Sequence, residues 1–274
     1  WYGLMYLAAF VAFVMLGKRR ASQAWSPITV AQMDDLLYYG VLGVVLGGRL
    51  GYMLIYGWEQ LLDNPLSLLE IWKGGMSFHG GLAGVIVVMM IYGRRTGCGF
   101  WPLADFVAPL VPPGLMFGRL GNFINGELWG HLSQKPWAMV FPDSLPHALS
   151  RDELHQLYQS GALNIYARHP SPLYQAALEG LCLFLLLFWY SRRQRPTMAV
   201  SGWFLIGYGV FRSIAEFFRV PDAHLGHLGF GWLTMGQLLC VPMIVGGAVL
   251  VLLAARRGLA PTKMGADATD ATGQ

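Results

Sequence analysis

Four polar side chains recur at helical spacing within an otherwise apolar stretch near the C-terminal end of the chain. They are Tyr208, Arg212, Glu216 and Arg219, and the intervals of four, four and three residues place them on one face of a helix. An arginine at the centre of a membrane helix costs about 2.5–3.5 kcal/mol on insertion scales. A membrane protein therefore retains such a group where it is paired, hydrated or used.

A second polar group follows the apolar stretch that ends near residue 118. Arg119, Asn122 and Asn125 are spaced by three residues and would share a face if they were helical, and Glu127 follows them. Arginines together with amide and hydroxyl donors suit an anion, and the planar guanidinium group matches phosphate geometry. The two groups predict an internal polar cavity that binds an anion. In a membrane the obvious anion is a phospholipid headgroup.

Each of these residues also has a purely structural interpretation. Arg212 and Glu216 could form an ion pair that neutralises itself. Arg49, which lies deep in another apolar stretch, could tie helices together through backbone carbonyl groups. His79 could be a hydrogen-bonded core residue, and the two asparagines could simply cap the chain. These alternatives stay open at the level of sequence.

The elements that must position these side chains are predicted to be membrane-spanning helices. The chain of 274 residues is 55% hydrophobic and only 12% charged, whereas soluble domains are about a quarter charged. Glycines at intervals of four (Gly43, Gly47 and Gly51; Gly80 and Gly84) predict close helix packing. We predict an all-α polytopic membrane protein with about seven spans, near residues 1–17, 34–57, 76–93, 101–118, 172–190, 200–218 and 234–255.

The basic residues predict the orientation of the spans. They follow the first, third, fifth and seventh spans, as Lys18, Arg19 and Arg20; Arg94 and Arg95; Arg192, Arg193 and Arg195; and Arg256 and Arg257. Basic residues mark the cytoplasmic side of a membrane protein. We therefore expect a multi-pass membrane protein with the N-terminus outside and the C-terminus in the cytoplasm.

The domain organisation follows from these spans. Residues 1–257 are predicted to form one transmembrane domain, into which residues 119–171 insert an extracytoplasmic arm with a short helix near 150–160. Residues 258–274 are small and polar and are predicted to be a disordered cytoplasmic tail. The scattered cysteines Cys98, Cys182 and Cys240 match no metal-ligand spacing and indicate neither a zinc site nor a disulfide framework. No metal and no cofactor are expected.

Residues 118–130, Gly-Arg-Leu-Gly-Asn-Phe-Ile-Asn-Gly-Glu-Leu-Trp-Gly, resemble the signature of the bacterial prolipoprotein diacylglyceryl transferases. Further landmarks of that family match at residues 1–6, 74–81, 169–174 and 208–219, the last followed by Pro221 and Asp222. The matches run in order over nearly the whole chain. The resemblance implies a seven-span catalytic domain over residues 1–257 in the bacterial inner membrane, with a periplasmic N-terminus and with residues 119–171 as a periplasmic arm and head, which agrees with the spans predicted above.

The resemblance also implies a reaction. Enzymes of this family transfer the diacylglyceryl group of phosphatidylglycerol to the lipobox cysteine of a prolipoprotein, which forms a thioether and releases glycerol phosphate. The implied partners are phosphatidylglycerol, the prolipoprotein signal peptide and membrane lipids, with no nucleic acid. The alternative is a phospholipid flippase or transporter that uses the same cavity. Such proteins have internal repeats, and no convincing repeat relates residues 1–118 to 172–257.

The implied site residues are carried over by motif. Arg119 and Arg212 would handle the phosphate, and His79 is the candidate base that deprotonates the thiol. Substrate-binding positions implied by the resemblance or expected from residue type are Tyr2, Arg49, Asn122, Asn125, Glu127, Gly130, Tyr208, Glu216 and Arg219.

Overall fold

The computed structural model describes residues 1–147, 149–220 and 234–257, and these residues are predominantly helical. The α-helices are α1 (Tyr2–Ala21), α2 (Val30–Ile55), α3 (Trp58–Asp63), α4 (Phe78–Arg95), α5 (Phe100–Val107), α6 (Val111–Ile124), α7 (Arg151–Gln159), α8 (Ser171–Gln175), α9 (Leu183–Tyr190), α10 (Ala199–Glu216) and α11 (Met235–Ala255). A π-helical segment, Ala176–Cys182, joins α8 to α9. Within the described ranges there is no extended strand, only isolated β-bridges.

The predicted all-α polytopic membrane fold is confirmed. Among the residues that the structure describes, five helical stretches are long and apolar enough to cross a membrane: Tyr2–Ala21, Val30–Ile55, Phe100–Ile124, Ser171–Tyr190 and Met235–Ala255. Helices α4 and α10 have 18 residues each and coincide with the two remaining predicted spans. Their ends carry charged residues, which lowers their hydropathy, and their crossing of the membrane stays a prediction.

The fourth span is longer than predicted. The sequence placed its end at residue 118 and the start of the arm at residue 119, whereas α6 continues to Ile124. No proline follows Pro113 within the helix, so the backbone hydrogen bonds continue until Gly126. This glycine has a φ of +72°, a conformation that suits glycine and stops a helix. Arg119 and Asn122 are therefore helical residues, not loop residues.

The chain divides into two compact units, one containing Trp1–Met15 and the chain from Val107 to the end of α11, the other Leu16–Phe106. In the second unit α2 and α4 approach closely at the predicted glycines. A Cβ atom on Gly51 would lie 2.7 Å from the Cα of Gly80, and one on Gly47 would lie 2.8 Å from the Cα of Gly84. The prediction of one catalytic domain over residues 1–257 stays a prediction, and the predicted tail at 258–274 lies outside the described residues.

The first unit contains the polar arm between α6 and α8. The short helix predicted near residues 150–160 is α7, which begins with a capping box formed by Ser150 and Glu153. Backbone bridges join Leu132 and Met139 to Arg168, so the two ends of the arm lie side by side.

Candidate phosphate-binding site

The first unit contains a cluster of buried charged side chains on three neighbouring elements. Arg119 on α6 and Arg212 on α10 both face Glu179 on the π-helical segment. The distances are 3.9 Å from Arg119 Nη2 to Glu179 Oε2 and 3.5 Å from Arg212 Nη1 to Glu179 Oε1. Arg212 Nη2 also lies 2.9 Å from Oε2 of Glu216. The predicted ion pair between Arg212 and Glu216 is thus present, but it belongs to a larger cluster.

A close contact between helices positions Glu179 in this cluster. The residue that follows it, Gly180, lies against α6, where an added Cβ atom would be 2.5 Å from the Cβ and 2.8 Å from the Cα of Met116. Only glycine lets the two backbones approach to this distance. The π-helical turn adds a residue to the helical repeat, a feature often found at functional sites. Glu179 is consequently held next to Arg119 with a side chain that is 0% exposed.

The guanidinium group of Arg119 makes long contacts. Its Nη1 lies 3.5 Å from Oδ1 of Asn122, and its Nη2 lies 3.9 Å from Glu179. Direct hydrogen bonds between guanidinium and carboxylate groups are about 2.7–2.9 Å long. The Arg119 side chain is also 23% exposed. Arg119 can therefore bind a further anion without first breaking a short ion pair.

A hydrogen-bonded network connects α1 to the end of α6. The Tyr2 hydroxyl donates to Glu127 Oε2, and Asn122 Nδ2 donates to the Tyr2 hydroxyl at 2.6 Å. Asn122 and Asn125 also donate to the Glu127 carboxylate, at 3.2 and 3.4 Å. These donors, Tyr2 first, lower the pKa of Glu127 from its usual value. The network fixes Asn122, which in turn contacts Arg119.

Gly130 lies where the arm meets the end of α10. Its backbone forms a bridge with Arg219, and its N–H donates to the His169 carbonyl at 2.9 Å. An added Cβ atom would lie 2.8 Å from the Cβ of His169 and would collide with the Phe218 carbonyl oxygen. Gly130 thus supports the turn that carries Arg219, whose Nη1 lies 3.9 Å from Glu216.

The helical stripe predicted on the sixth span is present. Tyr208, Arg212 and Glu216 lie on successive turns of α10, and Arg219 lies in the turn that follows the helix. Tyr208 is half-buried and its ring stacks on Phe204 at a centroid distance of 6.1 Å. The structure thus brings the predicted residues of the first unit into two adjoining groups: the buried charges and the Tyr2 network.

The other two predicted residues, Arg49 and His79, belong to the second unit. Arg49 is buried on α2 and donates to the backbone carbonyl groups of Ser67, Leu68, Gly74 and Gly75. This matches the structural alternative, in which Arg49 ties chain segments together, while its role in substrate binding stays a prediction. His79 is exposed in the first turn of α4, which Ser77 caps.

Glu179 is the member of the cluster that the sequence interpretation missed. A signal was present, because a lone acid within an apolar span is expensive and usually functional. Polar stripes along single helices do not reveal Glu179, because it has no charged neighbour at helical spacing on its own span. Its partners come from α6 and α10, so only the tertiary structure brings them together.

Fold and site together define a polytopic α-helical membrane protein with a buried cluster of arginines and carboxylates suited to an anionic group. The family model for prolipoprotein diacylglyceryl transferase matches residues 1–253. The chain therefore belongs to the prolipoprotein diacylglyceryl transferase family, whose members are transferases.

Similar proteins cover almost the whole chain. This chain is 54% identical over 251 residues to a phosphatidylglycerol–prolipoprotein diacylglyceryl transferase of Oleidesulfovibrio alaskensis. The match covers 92% of this chain and 87% of the relative. A protein of the same description from Methylococcus capsulatus is 53% identical over 258 residues, which is 94% of this chain and 91% of the relative. A third, from Xanthomonas axonopodis, is 52% identical over 259 residues, covering 93% and 87% respectively.

Proposed function

We propose that this protein transfers the diacylglyceryl group of phosphatidylglycerol to the lipobox cysteine thiol of a prolipoprotein. The sulfur forms a bond to the glyceryl carbon while the bond from that carbon to the phosphate oxygen breaks. The bonding electrons leave with the oxygen of glycerol phosphate, and the thiol proton passes to a base. The observation that carries the proposal is the convergence of Arg119 and Arg212, from two helices, on one buried position.

The change in charge during the reaction explains why arginines are needed. The phosphodiester of the substrate carries one negative charge, whereas the departing monoester can ionise a second time near neutral pH. Negative charge therefore grows on the phosphate as the carbon–oxygen bond breaks. Arg119 and Arg212 would bind this growing charge more strongly than the ground state, which lowers the barrier. Burial of the cluster strengthens that interaction.

The nucleophile is supplied by the partner protein. A free thiol has a pKa of about 8.5, so that only a minority is thiolate at neutral pH and a nearby base would help. His79 is the candidate for this base, because imidazole exchanges a proton near neutral pH. Its exposure in the first turn of α4 is compatible with access by a peptide. A His79→Gln variant with a near-normal transfer rate would remove this residue from the mechanism.

The location of the reaction follows from the distribution of basic residues. If these mark the cytoplasm, then Arg119 and Arg219 lie toward the outer face of the bacterial inner membrane. The lipid would then be bound in the outer leaflet, and the prolipoprotein cysteine would approach from the periplasmic side.

A transfer assay tests the proposal directly. Purified full-length protein is incubated with phosphatidylglycerol and a lipobox peptide, and the peptide is followed by a gel shift while released glycerol phosphate is quantified. The expected result is a lipid-modified peptide and an equimolar amount of glycerol phosphate. A matched peptide with serine in place of cysteine serves as the control. The absence of both products would overturn the proposal and would favour lipid transport by the same cluster.

A further inference from the structure

Glu179 is an unexpected neighbour for a phosphate. It is fully buried, and it lies between the two arginines that are expected to bind the anion. Its Oε2 atom has no hydrogen-bond partner within the described part of the chain and lies 3.9 Å from Nη2 of Arg119. A carboxylate this close to a bound phosphate repels it, and the repulsion grows with each negative charge that the phosphate carries.

We propose that Glu179 is a positioning and charge-setting residue that weakens the binding of a phosphomonoester dianion relative to that of a phosphodiester monoanion. This inference rests on the proposed function. Glu179 holds Arg119 and Arg212 in place and subtracts one unit from their combined positive charge. The positive charge that remains still stabilises the charge that grows in the transition state, but it holds the doubly charged glycerol phosphate less tightly than two uncompensated arginines would, so that this product can leave.

The long contacts of Glu179 fit this role better than a purely structural one. A carboxylate that served only to fix arginines would be expected to make short contacts with them, such as the 2.9 Å ion pair between Glu216 and Arg212. At 3.5 and 3.9 Å, Glu179 attracts both guanidinium groups without forming a short ion pair with either of them, so the N–H groups directed at it stay available to a ligand. The charged and titratable groups that face Glu179 from the packed elements of the described structure are Arg119, Tyr208, Arg212, Glu216 and Cys240.

The test compares two soluble headgroup analogues on the purified full-length protein. Glycerophosphoglycerol is a diester with one negative charge, and glycerol phosphate is a monoester whose second ionisation lies near pH 6. Their affinities are measured by phosphorus NMR titration at pH 5 and pH 8 for the wild type, Glu179→Gln and Glu179→Asp. Glu59→Gln, which removes one negative charge from an exposed residue of α3, is the matched control.

In the wild type and in Glu59→Gln, the affinity for glycerol phosphate relative to the diester should change by less than about threefold between pH 5 and pH 8. In Glu179→Gln the same ratio should rise by about tenfold or more, because a unit charge within a few ångströms acts on every additional ligand charge. Glu179→Asp keeps the charge and should keep the wild-type ratio even if both affinities fall. Product inhibition of transfer should strengthen in parallel in Glu179→Gln.

Two results would overturn the proposal. One is an unchanged ratio in Glu179→Gln, and the other is an equal change of the ratio in Glu179→Asp and Glu179→Gln, which would indicate geometry instead of charge. If Glu179→Gln does not fold, the wild type decides alone, since a tenfold gain in monoester affinity from pH 5 to pH 8 contradicts the proposal. Because binding is measured without turnover, an inactive wild type would refute the proposed function and leave this test in force.

Discussion

At the scale of single residues, the proposed phosphate site depends on the several N–H donors of a planar guanidinium group, which an ammonium group lacks. Arg119 presents its nitrogen donors to Asn122 and to Glu179 at long distances, so several N–H groups can be shared with a phosphate. A lysine would carry the same charge as a compact point without the planar fork. The two side chains therefore differ in geometry, not in electrostatic sign.

Replacing Arg119 with lysine should accordingly cause a severe loss of transfer activity. We expect a fall in rate of about 10²- to 10³-fold, the usual effect of removing one donor that stabilises developing charge. The rate is measured with the lipobox peptide assay, and Arg256→Lys, an exposed substitution at the end of α11, serves as the control. Nearly full activity in Arg119→Lys would count against two-point binding of phosphate.

The network around Glu127 gives a second prediction at this scale. The Tyr2 hydroxyl is the largest cause of the low pKa of Glu127, so Tyr2→Phe should raise that pKa toward the usual carboxyl value. A depressed carboxyl pKa stabilises the folded protein above the usual pKa, and this contribution is lost as the pH falls through the depressed value. The Tyr2→Phe variant should therefore lose this stabilisation even at neutral pH. Infrared titration of the Glu127 carboxyl band measures this change of pKa, and Tyr6→Phe serves as the control variant. An unchanged titration of Glu127 in Tyr2→Phe would contradict the prediction.

At the scale of elements, the hydropathy pattern predicted the positions of the helices better than it predicted the composition of the site. The predicted ends of the spans agree with the helices within a few residues, because apolar runs and basic ends are local features of the sequence. The fourth span is the exception. Its polar face begins at Arg119, where the sequence predicts the start of the arm, but nothing there interrupts the helix before Ile124. The pairing of Arg119 with Glu179 could not be predicted, because it depends on how separate helices pack.

The contact between α6 and the π-helical segment can be tested at Gly180. In Gly180→Ala the new methyl group would overlap the backbone and Cβ of Met116 and force the two elements apart. Overpacking of this kind typically costs about 1–3 kcal/mol, and it would also move Glu179 away from Arg119. We expect a lower thermal midpoint in detergent and a reduced transfer rate. Gly114→Ala, on the same helix α6 but with nothing within 4 Å of the added atom, should leave both unchanged.

At the scale of the whole molecule, the chain is a multi-pass membrane protein whose charge asymmetry predicts its orientation. Basic residues follow alternate predicted spans, and a cell keeps such segments on the cytoplasmic side. The orientation decides the chemistry that is available, because a site near the ends of α6 and α10 meets outer-leaflet lipid and exported peptides only if those ends face the periplasm. Contacts within the protein do not reveal this orientation, because the cytoplasmic and periplasmic sides are defined by the membrane and not by the fold.

Single cysteines at exposed positions on opposite sides test the orientation. Lys135 lies in the arm and Arg193 follows α9, and both side chains are exposed. In cells whose outer membrane has been permeabilised, a membrane-impermeant thiol reagent should label Lys135→Cys and should label Arg193→Cys only after the inner membrane is opened. The wild type, with Cys98, Cys182 and Cys240, gives the background. If Arg193→Cys but not Lys135→Cys were labelled before the inner membrane is opened, the orientation would be the reverse of the predicted one. The arginine cluster would then face lipid of the inner leaflet, where transfer to an exported cysteine could not occur.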